Sequence, residues 1–597
     1  MAHRDPVVSF ARNAFSADGR ATDDLPQVVG NIIASARSAL SHVSRYLGDE
    51  SEQLIAVPGR IRPPDCSIAS HGALGRFGVG VQWVPLAEGE TPFDITLTDS
   101  SLVACRDELA WLPALRAAGL DALAVDWLAQ CFKAHPRRLP SLPPERRGRR
   151  LLALLTEADL VLGDIDGQEH GRRLRAIADD LHGLRAQWHT LKSDRDRLSV
   201  LIATCTGAVC LAVEEHVRQD IETILARELS HQFHADGIHV SRNAADTLEV
   251  ILDLVPLLRV YAYRDLEPPV EIASARRRLQ SGLRSMRTGE LTLARFNGVG
   301  LETREFLALA SKLDPDAQAV QGLMASGYAR LHADATVLIA DAGSAPTSVS
   351  SHAVFAGFGS FEFSSGGCQI ICNCGAEEPT TPNPAPADGW YRATSAHSTL
   401  VLNGQSLMAC EEDNGDRVRT IRTSSPRPRA TRPPGLKVEC CPGNVRQANT
   451  TLQTGDHDGR NAHRLSLTHD GYVGRFGARH GRELQLSTDG TQLWGRDRLY
   501  GAHGPLRLST DIAYAIHFHL APSCEIETTD TRNEVLIHLA DGRQTWAFLC
   551  DVGQVYVEDS RRPAARGARS RAFQIVVRGL CPGEADVRWL FEKRTGP

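Results

Sequence analysis

Apolar residues follow two different rhythms along this chain. In DELAWLPALRAAGLDALAVDWLAQCF, Trp111, Leu112, Leu115, Leu120, Leu123, Val125 and Leu128 recur at helical spacing, and Gly119 marks a turn. The same rhythm predicts helices over 151–163, 170–192, 195–217, 219–234, 244–261 and 270–287. The breaks are short and polar or carry proline, as at Pro268-Pro269 and through Pro140–Pro144, so successive helices should pair antiparallel. No fixed-period repeat runs through them, which disfavours a solenoid.

After about residue 315 the rhythm shortens to that of strands. ATVLIADAG, GSFEFSSGGCQIICNCG, HSTLVLNGQS, AHRLSLTHDGYVGRF, RELQLSTDGTQLWGRDRL, AYAIHFHL and NEVLIHLADGRQTWAFLCD are strand-like runs separated by Gly, Asp and Asn. Leu465/Leu467 and Leu484/Leu486 alternate, and Asp489-Gly490 and Asp541-Gly542 are hairpin signals. Many short strands with no helix between them predict an antiparallel sandwich. Two proline-rich stretches, 377–389 and 423–435, predict exposed loops. The division expected is an N-terminal extension over 1–54, a helical domain over 55–315 and a β-sandwich domain over 316–597.

Length agrees with that division, because 597 residues exceed what one ordinary core accommodates. Charge narrows the partners. With 66 basic and 72 acidic residues the formal net charge is −6, so there is no global field for nucleic acid, and an anionic ligand must be held by a local cluster of Arg and His. The first residues, MAHRDPVVSFARNAFSADGR, have no apolar run of signal-peptide length, and no stretch of the chain is long enough to span a bilayer. A cytoplasmic protein is the expectation, and its fourteen cysteines are then structural free thiols. Cys372-Asn-Cys374 and Cys440-Cys441 lack the CxxC spacing of a zinc site.

Three segments together resemble the heparinase II/III family of polysaccharide lyases. They are LARELSHQFHADGIHVSRNAADTLEVILDLVPLLR (225–259), FGSFEFSSGGCQIICNCG (358–375) leading to YRATSAHSTLVLNG (391–404), and THDGYVGRFGARHGREL (468–484), followed by His517-Phe518-His519. The most specific pieces are DGIHVSRN and R-x-T-x-A-H-S-T-L, and the resemblance spans roughly residues 55 to 590. It implies an incomplete α/α toroid followed by an antiparallel β-sandwich. It also implies β-elimination on a uronic-acid polysaccharide, in the cell envelope where the family often works. Two places differ from the family pattern. Asp246 and Thr247 stand where relatives often carry a Tyr, and SHAVFAGFGSFE has only His352 where they often show an H-x-H-x-D-like run.

Cleavage beside a uronate requires removal of a weakly acidic proton alpha to a carboxylate, with that carboxylate neutralised as charge develops. A His or Tyr must reach the proton, and an imidazole, amide or guanidinium must hold the carboxylate. His239, His397 and Tyr472 are the candidates for base and acid, and Arg242, Asn243 and Arg392 for carboxylate binding. If both histidines act, both imidazoles should point into the groove between the two halves, with Arg242 or Asn243 beside them. Each candidate has a structural alternative. Ser241 or Asn243 can cap the next helix, His397 can be a strand-end histidine, Arg392 can pair with Glu362, and Tyr472 can pack its ring. His469 and His480 carry weaker signals.

His517 and His519 alternate on one strand face as a metal pair can, but no third ligand is identified, so no cofactor is assigned and a divalent metal stays open. The partner expected is an acidic polysaccharide or oligosaccharide, with no nucleic acid and no membrane span, and nothing in the sequence sets an oligomeric state. A non-catalytic acidic-glycan-binding protein on the same scaffold is the alternative. A hydrolase would need a pair of carboxylates at cleavage distance.

Overall fold

The computed structural model describes residues 53–597 except 60–63, 139–141, 290–291, 301–303, 344–354, 377–389, 408–411, 414–417, 420–447, 458–459, 503, 507–510, 530, 532, 561–571 and 595–597. Both proline-rich stretches, and nearly all of the N-terminal extension, fall outside the described residues.

Helices run from Cys66–Ala73 through Ser100–Asp107, Trp111–Ala117, Asp121–Arg138, Pro144–Thr156, Gly167–Gln187, Asp194–Cys210, Glu215–His231, Ala244–Tyr263 and Val270–Ser285 to Arg304–Leu313. Their starts are set by side chains that satisfy otherwise unpaired backbone N–H groups. Asp99 accepts from Ser101 and Leu102, Asp166 from Gln168 and Glu169, and Ser193 from Asp196. Asp194–Cys210 is the central helix. Leu198 and all of Val200–Cys210 are buried, so it is apolar on every side, and it packs on Pro144–Thr156, Glu215–His231 and Ala244–Tyr263.

The helix expected over 195–217 is two helices. The chain breaks after Cys210 because Leu211 bridges to Leu54, and the Cys210 carbonyl accepts from Ile55. The helix predicted to run to 192 ends at Gln187, followed by a 3-10 turn at Trp188–Thr190. Val125 matches the apolar spacing yet is 39% exposed.

From Gly322 onward the described residues form antiparallel sheets, as the alternation predicts, with one short helix at Val473–Phe476. A five-stranded meander takes Gly322–Leu323, Tyr328–Ala333, Thr336–Asp341, Phe361–Ser365 and Cys368–Ile371 in sequence order. An eight-stranded sheet places Ala448–His457, Arg460–His469, Ala478–Ser487 and Gln492–Gly501 beside Ala585–Arg594, then Thr545–Cys550, Glu534–His538 and Glu525–Thr528. A four-stranded sheet runs Gln554–Ser560, Ala572–Cys581, Ile512–His519, Leu400–Leu402.

Both Asp-Gly turns form. Gly490 has φ +69° and Gly542 φ +63°, left-handed values that a side chain resists. Asp489 accepts from Thr491, and Asp541 from Arg543 and Gln544. Leu465 pairs opposite Leu484, and both are buried with Leu467 and Leu486 in the sandwich core. The chain is therefore a helical toroid followed by an antiparallel β-sandwich. The two parts share apolar packing, because Tyr328 and Ile339 of the first strands, and Met324 of the turn before Tyr328, belong to the helical core.

Candidate functional site

The turn between helices Glu215–His231 and Ala244–Tyr263 carries His239, Arg242 and Asn243. It is built on Gly237, whose φ is +86° and where a Cβ would come within 2.0 Å of the Arg278 carbonyl. Asp236 accepts from the backbone N–H of Ile238 at 3.0 Å and of Ser326 at 2.6 Å, so one carboxylate serves both the helical turn and the first sandwich hairpin.

Arg242, at φ +60°, crosses the same junction. Its Nε donates to the Ser326 carbonyl at 2.8 Å and its Nη2 to Asp341 Oδ1 at 2.6 Å. Its guanidinium lies 4.5 Å from the centroid of the Tyr328 ring, and the Tyr328 hydroxyl donates back to the Arg242 carbonyl at 2.6 Å. Arg242 is thus saturated by the protein itself, inside a charge pair that binds helix turn to sheet. Asn243 caps the following helix, accepting from Ala245 at 2.9 Å.

His239 is 1% exposed. Its Nδ1 is hydrogen-bonded to Ser241 Oγ at 2.8 Å and its Nε2 to Gln232 Oε1 at 3.1 Å, while Ser241 Oγ donates to Asp246 Oδ2 at 2.7 Å. Burial, only partly opposed by Asp246, pushes the imidazole below its ordinary pKa and favours the neutral ring.

On the sandwich side His397 follows two 3-10 turns, Trp390–Arg392 and Thr394–Ala396. Its Nδ1 donates to the Ala393 carbonyl at 2.8 Å, its ring meets Phe355 edge-on, and Gly357 leaves the ring its space. It is 1% exposed, and burial pushes its pKa down to about 4 against the opposing charge of Asp341. Asp341 pairs with Arg242, and its charge also acts on His397. Arg392 is 8% exposed, with its guanidinium 5.9 Å from the Phe355 ring centroid, so it shares a wall with His397. Glu362, considered above as an Arg392 partner, accepts from Arg295 N at 2.8 Å, Gln369 Nε2 at 2.6 Å and Asn373 N at 3.0 Å.

Tyr472 is 1% exposed and donates its hydroxyl to the Leu400 carbonyl at 3.0 Å, and burial raises its phenol out of reach of neutral-pH ionisation. Beside it runs a buried polar chain. His469 Nε2 meets His480 Nδ1 at 2.9 Å, and His480 Nε2 meets Asp497 Oδ1 at 2.7 Å. Arg482 grips Asp497 with two N–H donors at 2.7 and 3.0 Å, and Trp589 Nε1 adds a third at 2.8 Å. Burial alone would raise the Asp497 carboxyl, but Arg482 and His480 outweigh it and hold it well below the usual carboxylate range. Arg482 also donates to the carbonyls of Gly359 and Ser398, which fixes the segment that carries His397 into the strand Leu400–Leu402.

The rings of His517 and His519 stack at 6.0 Å, with His517 Nδ1 engaged by Gln574 Oε1 and both His519 nitrogens by Ser560 Oγ and the Ser395 carbonyl. Among the described residues no group of three or more His, Cys, Asp or Glu is placed to hold a metal ion. No helix among them is long and apolar enough to cross a membrane.

The expectation that both imidazoles open into a groove is corrected. His239, Arg242 and Asn243 share one turn, and His397 and Arg392 share another wall, but His239, Arg242, Arg392, His397 and Tyr472 are all buried against protein partners. The reason is that polar side chains placed between two packed domains need internal partners once water is excluded. Asp341, Tyr328 and Asp497 were missed. Their signal was a polar residue on the inward side of a strand's alternation, as Asp497 is in WGRDRL.

This combination of toroid, sandwich and junction is a heparinase-type architecture. Residues 316–590 match the family described as Heparinase II/III-like, C-terminal. Over nearly its whole length the chain is similar to FtsZ-localized protein C of Caulobacter vibrioides, at 24% identity across 576 residues and 91% of each chain. Among solved structures, heparan sulfate lyase HepC from Pedobacter heparinus superposes with TM-score 0.59 at 15% identity, over 96% of this chain and 91% of that one. Heparinase III superposes with TM-score 0.64 at 13% identity, over 91% of this chain and 87% of that one. At these identities the likeness to the solved structures is one of fold.

Proposed function

We propose that this chain is a non-catalytic acidic-glycan-binding protein on a heparinase-type scaffold, and that it localises with FtsZ. One observation carries the first part. His239, His397 and Tyr472, the groups expected to move protons, are each 1% exposed and hydrogen-bonded within their own protein. A general base must come within hydrogen-bond reach of the proton it takes. The second part is supported by the similarity to FtsZ-localized protein C over 91% of both chains. The test is co-sedimentation with FtsZ polymers, together with a fluorescent fusion followed through division. Pelleting with polymer and a mid-cell band are expected, and a diffuse fusion that stays in the supernatant would overturn it.

The scaffold itself favours a second reading, a carbon–oxygen lyase cleaving uronic-acid polysaccharides by β-elimination. In that reading His239, His397 and Tyr472 divide the base and acid roles, and Arg242, Asn243 and Arg392 hold the carboxylate. The turn at 236–243 and the wall at 390–397 must then open before substrate can reach them. Opening means separating Arg242 from Asp341 and releasing the Ser326 and Tyr328 hydrogen bonds that close the same junction.

A further inference from the structure

Arg106, Arg147, Arg150, Arg173, Arg242 and Arg482 are buried, and each pairs with an aspartate or glutamate. Arg330 does not. It is 8% exposed and lies on strand Tyr328–Ala333 opposite Ile339, facing the helical part. Its Nη1 donates to the carbonyls of Ser285 and Arg287, at 3.0 Å each, where helix Val270–Ser285 ends. The guanidinium is thereby held beside Arg287, whose own Nη1 donates to Ser311 Oγ at 2.6 Å. Arg284, in the last turn of the same helix, adds a third cation and donates to the Pro315 carbonyl at 2.9 Å.

Every one of these bonds ends on a neutral oxygen. Among the described residues no carboxylate pairs with Arg287 or Arg330. Burial and the neighbouring Arg287 push the Arg330 guanidinium down to about 10, and burial and Arg284 lower Arg287. The helix end supplies about half a negative charge, which leaves more than one positive charge uncompensated in a largely closed place. The Nε atoms of both side chains are sealed in without a partner. Their Nη2 atoms also make no hydrogen bond among the described residues, but they are not sealed, so a ligand can reach the pair through them.

We infer that Arg287 and Arg330 bind a phosphate group, as inorganic phosphate or a phosphomonoester, through their Nη2 atoms. At neutral pH such a group carries about 1.5 to 2 negative charges, close to the excess at this place. Its several oxygens accept from both guanidiniums at once. A single carboxylate carries one charge and leaves part of the excess standing. The bound group joins the end of helix Val270–Ser285 to strand Tyr328–Ala333. The site contains none of the candidate residues His239, Arg242, Asn243, Arg392, His397 and Tyr472, and it does not depend on glycan binding.

Calorimetric titration of the full chain at neutral pH tests it, with inorganic phosphate, phenyl phosphate and acetate as probes at constant ionic strength. Saturable binding of inorganic phosphate is expected, with acetate about tenfold weaker or more. Arg287→Gln, at a part-buried position, and Arg330→Met should each weaken phosphate about tenfold or more. Phenyl phosphate bound as tightly as inorganic phosphate assigns the site to an ester, and inorganic phosphate bound alone assigns it to the free ion. Wild type without saturable phosphate binding, or binding unchanged in both variants, overturns the inference. A thermal midpoint that rises in proportion to phosphate, equally in wild type and variants, is the general effect of an excluded salt and counts against it too. If Arg330→Met does not fold, Arg287→Gln decides.

Discussion

Arg242 and Asp341 form a buried ion pair, Nη2 to Oδ1 at 2.6 Å, that ties the turn before helix Ala244–Tyr263 to the end of strand Thr336–Asp341. Removing one partner leaves the other as an uncompensated buried charge, a loss of about 3–5 kcal/mol. Arg242→Met should therefore lower stability by about that much in urea denaturation. The double variant Arg242→Met/Asp341→Leu should recover part of it. A single variant within about 0.5 kcal/mol of wild type, the scatter typical of surface changes, would mean the pair does not bind the two parts together.

Acid should loosen the sandwich through His397. Its folded pKa of about 4 lies below the ordinary 6.5, so the unfolded chain takes up the proton first as pH falls. The contribution is fully present above about 6.5 and is lost as pH falls toward about 4, a change of about 3 kcal/mol over that window. His239, His469, His480 and His517 are shifted the same way by burial and add to the trend. Denaturation of wild type and His397→Gln at pH 7 and pH 4.5 should show a shallower pH dependence in the variant. Equal dependence would show that His397 is not held neutral.

Tyr472→Phe removes a hydroxyl that donates to the Leu400 carbonyl and leaves that carbonyl without its donor. The expected effect is a loss of about 1–3 kcal/mol in stability, with saccharide binding and FtsZ co-sedimentation unchanged. A variant of unchanged stability that loses binding would make the phenol a functional group after all.

The cysteines give a chemical readout of packing. Cys66 is exposed, whereas Cys105, Cys131, Cys205, Cys210, Cys372, Cys374, Cys524, Cys550 and Cys581 are buried as free thiols. Burial pushes the Cys550 thiol up to about 11, and the Cys105 and Cys210 thiols are raised further. Iodoacetamide labelling of the native chain, resolved by peptide mass spectrometry, should modify Cys66 well before any of these. Early labelling of Cys205 or Cys210 would contradict the packing of the central helix.

The fold was legible because its signals are periodic. Helical spacing before residue 315 and alternation after it survive boundary errors of a few residues, and the Asp-Gly turns fell where the sheet needed φ above zero. The residues of the candidate site were legible as polar groups in unusual company, and DGIHVSRN does lie at the junction. Their exposure was not legible. Whether His239 meets solvent or Gln232 depends on packing across elements, and Arg242 finds Asp341 ninety-nine positions away. Local pattern does not report such pairings. It also does not separate a histidine kept neutral by burial from one poised to accept a proton.

Absorbance of unsaturated uronates measures the central claim most directly. The full chain, incubated with a panel of acidic polysaccharides and followed in the ultraviolet, should give no increase above the buffer control at any pH between 5 and 8. A time-dependent rise with any substrate, abolished by His239→Ala or His397→Ala at an unchanged thermal midpoint, would contradict it and make this chain an eliminating enzyme.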